Sequence, residues 1–263
     1  PTRDGTKGFG GCIFCSPNGS GDFVPSKLKS ISEQIEDAKK IIEKKYKVKD
    51  KKYIAYFQNF TNTYGNPDVL YSKYLEAINC KDIIGISIAT RPDCVNDEIL
   101  KKINMLTEHT FVIIELGFQS SNEKTIKYIN RAYSNDEYLD CVLRIKKINK
   151  EIHIVTHLII GLPGETENDI INSTQYVINC GTDGLKFTVL YILRGTGIEN
   201  DYLSGKFDTL SMEEYFSIIK KIMSIVPNNI VIHRLTGDGP KKILIAPEWT
   251  KDKKKVLNYM NSL

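Results

Sequence analysis

Ile83-Ile84-Gly85-Ile86-Ser87-Ile88, then a helical stretch from about Asp97, then Phe111-Val112-Ile113-Ile114: this succession decides the fold class. Strands apolar on both faces, with a helix between them, are what a parallel βαβ unit requires, because the crossover helix covers one face of the sheet. The same alternation extends in both directions. Upstream, Leu28, Ile31, Ile35, Ala38, Ile41, Ile42 and Tyr46 recur at helical spacing, with Ser26 as the expected N-cap, ahead of a strand over 53–57. A helix near 68–80 then leads into the opening stretch. Downstream, helices at 123–129 and 136–148 precede a strand at 152–160, a helix at 169–178 precedes a strand at 185–190, and a helix at 212–225 precedes a short strand at 230–232. The expectation is an α/β protein forming one domain over 1–263, with no separate second domain. Periodicity leaves open whether the sheet closes. In either form ligands bind at the C-terminal ends of the strands.

The 263 residues are 41% hydrophobic, enough for a proper core. No apolar run approaches the roughly 20 residues that span a bilayer, and the N-terminal segment is Gly-rich and polar, so no membrane partner and a cytoplasmic location are expected. Six cysteines are too sparse for a disulfide scaffold, and only Cys12 and Cys15 are close together, which fits a reducing compartment. Cys80, Cys94, Cys141 and Cys180 default to core packing. The formal net charge is +4, a mild excess that permits a polyanionic partner without demanding one. Eight lysines fall between Lys39 and Lys52, and Lys251, Lys253, Lys254 and Lys255 form a second run. Such runs read first as the solvated ends of surface helices, a reading compatible with RNA binding.

Gly8, Gly10, Gly11, Cys12, Ile13, Phe14 and Cys15, continuing to Ser16-Pro17-Asn18-Gly19-Ser20-Gly21, form a loop whose glycines permit close backbone approach to something bulky. Two thiolates two residues apart can grip one metal centre. A redox dithiol, half of a zinc site and ordinary buried cysteines stand beside that reading. A thioredoxin-type dithiol opens a helix directly after a strand, whereas a Pro-Asn-Gly-Ser-Gly loop follows here. A structural zinc needs two more closely spaced ligands, and Cys80 and Cys94 lie in separate elements; zinc stays open.

The aromatic Phe14 between the cysteines makes this loop similar to the last part of the radical S-adenosylmethionine (radical SAM) signature. The stretch from Arg3-Asp4-Gly5 to Cys15 resembles the YhcC/YtqA (MnmL-like) group of that superfamily, related to Elp3-like cores. The resemblance implies a partial (β/α)6 TIM-like barrel and a [4Fe-4S] cluster held by three cysteines, with S-adenosylmethionine (SAM) on the fourth iron. It places Cys12 and Cys15 as metal ligands and the first cluster cysteine immediately before Pro1. The expectation is therefore a chain trimmed of that cysteine and of the first core strand.

The resemblance continues at the strand ends. Gln58-Asn59-Phe60-Thr61-Asn62-Thr63 occupies the place of the superfamily segment that contacts the SAM amino group, which points to Gln58 and Asn59. Ile88-Ala89-Thr90-Arg91-Pro92-Asp93 is similar to an Elp3-like strand end, where Arg91 either reaches substrate or SAM or caps the strand. In Glu115-Leu116-Gly117-Phe118-Gln119-Ser120, a carboxylate leaving an apolar strand is costly to bury unpaired, so Glu115 is expected to be functional. Gln119 would bond the SAM ribose or carboxylate. Arg131 matches an arginine that clamps the SAM carboxylate, a task suited to a guanidinium, against the plain alternative of a surface arginine at a helix end. His157 precedes Gly161-Leu162-Pro163-Gly164-Glu165-Thr166, where Gly161 lets the backbone approach adenine and Thr166 can cap the next helix. His157 takes a position often acidic in HemN-like members, and a hydrogen-bonded core histidine is its equal alternative. Tyr191 and Arg194 could face substrate. Phe14, Glu115, His157 and Tyr191 complete the expected cofactor-facing set.

The activity so implied is reductive cleavage of SAM, with electrons from a donor such as flavodoxin or ferredoxin. The group resembles enzymes of tRNA wobble-uridine modification, including conversion of 5-carboxymethylaminomethyluridine to 5-aminomethyluridine, which makes tRNA the expected substrate. A radical SAM enzyme acting on a small metabolite or protein is the alternative, and a non-catalytic zinc or nucleic-acid module the second.

Overall fold

The apolar runs of the sequence become strands β1 (Tyr53–Phe57), β2 (Ile83–Thr90), β3 (Phe111–Gln119), β4 (His153–Ile160) and β5 (Gly184–Val189), with β6 (Ile192–Leu193), β7 (Val231–Arg234) and β8 (Leu244–Ala246) following. The structure is a computed structural model that describes residues 1–16, 29–47, 49–237 and 239–262. Ser26, Leu28 and loop residues 17–21 lie outside these. A six-stranded sheet of order β1-β2-β3-β4-β5-β7 is parallel throughout, and β6 pairs with β8 in an antiparallel ribbon.

Crossover helices make a parallel sheet feasible. α1 (Ile31–Lys45) leads into β1; the connections between strands carry α2 (Pro67–Ile78), α3 (Asp97–Leu106), α4 (Glu123–Tyr128), α5 (Asn135–Ile148), α6 (Glu167–Asn179), α7 (Glu199–Leu203) and α8 (Met212–Ile225), and α9 (Lys253–Asn261) follows β8. Capping boxes open α1 (Ser30 with Glu33), α5 (Ser134 with Glu137), α6 (Thr166 with Asp169) and α8 (Ser211 with Glu214). Each satisfies otherwise orphaned N–H groups and fixes where the chain turns from strand end into helix. Ser30, not the expected Ser26, caps α1, because Glu33 stands at the third helical position to complete the box.

The main core joins strand residues such as Ile86, Ile88, Ile114, Leu116, Ile154, Leu185 and Phe187 to Ile99, Ile103, Val142, Ile145, Phe216 and Ile222 of the helices. Each such side chain, fully buried, contributes roughly 1.5–3 kcal/mol. Cys141 lies in this core, with Cys180 packed at its margin. Among the described residues no helix is long and apolar enough to cross a membrane.

The sheet curls. Glu115 of β3 is hydrogen-bonded to Tyr56 of β1 and to Lys186 of β5, each two strands away. Neighbouring strands stand about 4.8 Å apart, so side chains from five strands converge on one carboxylate only across a concave face. The product is a partly closed barrel, as expected. One boundary differs from expectation: β3 runs on through Glu115 to Gln119, so Glu115 lies within the strand, where bonds from both sides of the barrel stabilise the extension. The β6/β8 ribbon, α7 and α9 leave no periodic trace. β6 is two residues long, and the Lys253-Lys254-Lys255 run obscures the apolar stripe of α9.

Candidate active site at the strand ends

Glycine chemistry shapes the cysteine loop. Gly11, at φ +70°, turns the chain into Cys12, and a Cβ there would stand 3.1 Å from Arg3 Nε. The loop is tied on several sides. Gly11 N donates to Thr2 O (2.8 Å), Arg3 Nη2 to Ser16 O (2.7 Å), and Ile13 N to Ile129 O (3.2 Å). Asn130, itself at φ 54°, donates from Nδ2 to Phe9 O (2.9 Å) and Gly11 O (2.8 Å). Ile198 N donates to Ile13 O at 3.0 Å. Phe14 anchors the loop in a small cluster with Ile129, Leu162, Leu190, Ile192 and Ile198, residues that follow β3, β4 and β5. The cysteines therefore sit over the C-terminal ends of the strands.

The two thiols differ. A hydrogen bond from the Cys15 thiol brings Cys12 down to about 7, opposed by burial and helped by the guanidiniums of Arg91, Arg3 and Arg131. The same bond, with burial, pushes Cys15 well up. An electropositive pocket that favours thiolate is the environment a soft metal centre needs. Among the described residues no group of three or more His, Cys, Asp or Glu side chains is assembled for a metal.

The arginines divide their work. Arg131 is fully buried: Nε donates to Tyr133 O (2.9 Å), Nη1 to Phe118 O (3.1 Å) and Ser120 O (2.8 Å), and Nη2 to Asn135 Oδ1 (2.9 Å). In this geometry it staples the end of β3 to the turn before α5; it is not the surface arginine that was its plain alternative. Arg91 makes two 3.0 Å bonds to Asp93 and donates to Arg131 O at 2.9 Å, with Tyr133 beneath it at 5.0 Å. Its charge faces Cys12. Arg194 is exposed beside the β6/β8 ribbon, its N–H donating to Ile243 O at 2.8 Å.

Other strand ends carry the remaining expected residues. Gln58 and Asn59 follow β1 directly, and Asn59 Oδ1 is buried with no hydrogen-bond partner among the described residues. Gln119 ends β3 at φ 67°, beyond a register shift against β4, a conformation that costs a non-glycine residue energy and re-aims its side chain. Gly161, at φ +87°, follows β4; a Cβ there would meet Leu210 at 3.0 Å. Tyr191 follows β5 and donates its hydroxyl to Gly237 O.

Glu115 and His157 belong to a deeper layer. Glu115 Oε1 accepts from Ser87 Oγ (2.7 Å) and Lys186 Nζ (2.5 Å); Oε2 accepts from Tyr56 OH (2.8 Å) and stands 2.7 Å from His157 Nε2. Burial opposes the charge of Glu115, but His157 and Lys186 hold its carboxyl well below the usual range. Burial keeps His157 lower than an ordinary histidine despite the carboxylate. Tyr56, Ser87, Lys186 and Asn130 were not anticipated. A lysine between Leu185 and Phe187 was the visible signal for Lys186. Tyr56 and Ser87 look like ordinary strand residues.

The sequence profile of the radical SAM superfamily matches residues 8–177, and that of the radical SAM C-terminal domain matches residues 182–262. The seam falls between α6 and β5, and β4 and β5 pair across it. Protein YtqA of Bacillus subtilis is 38% identical over 261 residues, covering 99% of this chain and 80% of the relative. A tRNA-2-methylthio-N(6)-dimethylallyladenosine synthase of Clostridium botulinum is 32% identical over 173 residues, which is 62% of this chain and 36% of that one. The structure of Elp3 from Methanocaldococcus infernus with an N-terminal deletion shares the fold at a TM-score of 0.67 and 19% identity, over 88% of this chain and 58% of that one.

Proposed function

The chain belongs to the radical SAM superfamily of enzymes, and from that premise we propose that it cleaves SAM reductively to modify a wobble uridine of tRNA, taking 5-carboxymethylaminomethyluridine to 5-aminomethyluridine. The observation that carries the chemistry is the pair of thiols over the strand ends, with Cys12 biased toward thiolate by its neighbours. The donor set suits an iron-sulfur centre, since two soft sulfurs lie among three guanidiniums in a loop fixed by backbone bonds. Cys12 and Cys15 would be ligands of a [4Fe-4S] cluster; Thr2, bonded to Gly11, ties the segment ahead of the loop against it. When bound, the cluster and SAM would supply one-electron chemistry, with electrons from a donor such as flavodoxin or ferredoxin.

The residues of this chain bind and orient. The orphaned Asn59 Oδ1 is an acceptor suited to an ammonium group such as that of SAM, with Gln58 beside it. Gln119 and the turn at Gly161 present polar and backbone groups at neighbouring strand ends, where ribose and adenine would lie. Glu115 with Lys186 and His157 forms a hydrogen-bonded floor below them. The tRNA substrate draws support from the tRNA-modifying Clostridium relative.

Anaerobic reconstitution with iron and sulfide, followed by assay of 5′-deoxyadenosine from SAM under dithionite with and without tRNA, tests the proposal. About four irons per protein, turnover stimulated by tRNA, and loss of both iron and turnover in Cys12→Ala are expected. Bound zinc in place of iron would end the radical reading. A cluster whose turnover ignores tRNA would move the substrate to a small metabolite.

A further inference from the structure

Register places Arg234 of β7 beside Lys186 of β5, on the concave side of the sheet. The carboxylate of that layer is fully engaged: Ser87 and Lys186 hold one oxygen of Glu115, Tyr56 and His157 the other. Arg234 therefore stands near a buried pair and, among the described residues, has no acid of its own. Its Nε is buried with no hydrogen-bond partner among the described residues, and so is Thr236 Oγ1, two residues further along the chain. Both line one cavity of about 340 Å³, whose wall continues through Gly237, Thr250, Lys253 and Val256. Gly237 is also the residue that accepts the Tyr191 hydroxyl, so the cavity borders the candidate active site.

A guanidinium N–H withdrawn from water without an acceptor is costly, and a hydroxyl aimed at the same space adds a second unmade bond. An oxyanion relieves both, because a guanidinium and a hydroxyl are the donors a carboxylate or phosphate takes up. We propose that Arg234 and Thr236 form an oxyanion subsite for an acidic group of the substrate. The volume suits a carboxylate or phosphate with the atoms that tether it. The choice between these two sources rests on the tRNA reading above: the carboxymethyl group of the uridine, or a phosphodiester of the RNA backbone.

The test uses cluster-loaded, full-length protein. Inorganic phosphate, added at fixed ionic strength, raises the melting temperature of the wild type but not of Arg234→Met, and Thr236→Val, which changes no charge, lowers the gain. No rise in the wild type, or an equal rise in all three, overturns the subsite. In a second arm, tRNA carrying 5-carboxymethylaminomethyluridine and the same tRNA unmodified are titrated against each protein. Tenfold or greater weakening by Arg234→Met confined to the modified tRNA identifies the carboxylate. Equal weakening on both, with the salt slope reduced by about one, identifies a backbone phosphate. A phosphate response without any effect on tRNA binding leaves the subsite standing and sinks the RNA source.

Discussion

Glu165 carries the clearest titration away from the cysteines. It follows the Gly161 turn, accepts from Ser120 Oγ at the end of β3, and is pushed by burial up to about 7, with the hydrogen bonds from Ser120 and Thr125 only partly offsetting this. The sign follows from proton counts. Between the ordinary carboxyl value of 4.5 and about 7 the native protein binds the extra proton, so stability is greatest at the acid side and falls as pH rises through that window. Glu165→Gln keeps an acceptor for Ser120 and removes the charge. It is expected to raise stability by roughly 3 kcal/mol at pH 8 and to leave it nearly unchanged at pH 4, as the size of the shift implies. Urea unfolding of both proteins across that range checks the prediction, and a stability gap that does not grow with pH refutes it.

Among elements, the turn after α4 governs the cysteine loop. Asn130 spans Cys12's approach with two bonds to Phe9 O and Gly11 O, while Ile129 O takes the N–H of Ile13 on the other side. Asn130→Asp keeps a residue that tolerates φ > 0 and removes the donor. The expected result is at least a halving of iron retained after reconstitution, with a stability loss of about 1–2 kcal/mol for two exposed or half-buried bonds. Full iron loading in the variant would show that the loop is held without this turn. The sequence pointed to the neighbouring Arg131 instead, because a side-chain amide bonded 119 residues away leaves no local pattern. Legibility follows that rule elsewhere. Strand–helix alternation is a local signal, and β1 to β5 and α8 lie close to where periodicity puts them. The Glu115 layer depends on which residues share a concave face, so Lys186 was visible only as an anomaly and Tyr56 and Ser87 not at all.

The whole molecule has two chemically distinct ends. Parallel strands put every C-terminal end, and with it Cys12, Cys15 and the Arg234 cavity, on one side. The long lysine run lies on the other: Lys44 and Lys45 end α1, Lys52 enters β1 and pairs with Asp82 just before β2 at 2.8 Å. The second run, at the start of α9, stands on the catalytic side, since Lys253 shares the cavity with Arg234. Density of charge alone would favour the first run as an RNA contact; position favours the second. Lys251, Lys254 and Lys255 changed together to Gln should weaken tRNA binding and reduce the slope of log K against log salt by about one per lost phosphate contact. Lys44, Lys45 and Lys51 changed to Gln remove the same charge and should leave both tRNA affinity and tRNA-stimulated 5′-deoxyadenosine formation close to wild type. Equal losses from the two triple variants would mean that bulk charge, not the polarity of the barrel, draws the RNA in; a loss confined to the first run would place the RNA across the end of the barrel opposite the cysteines.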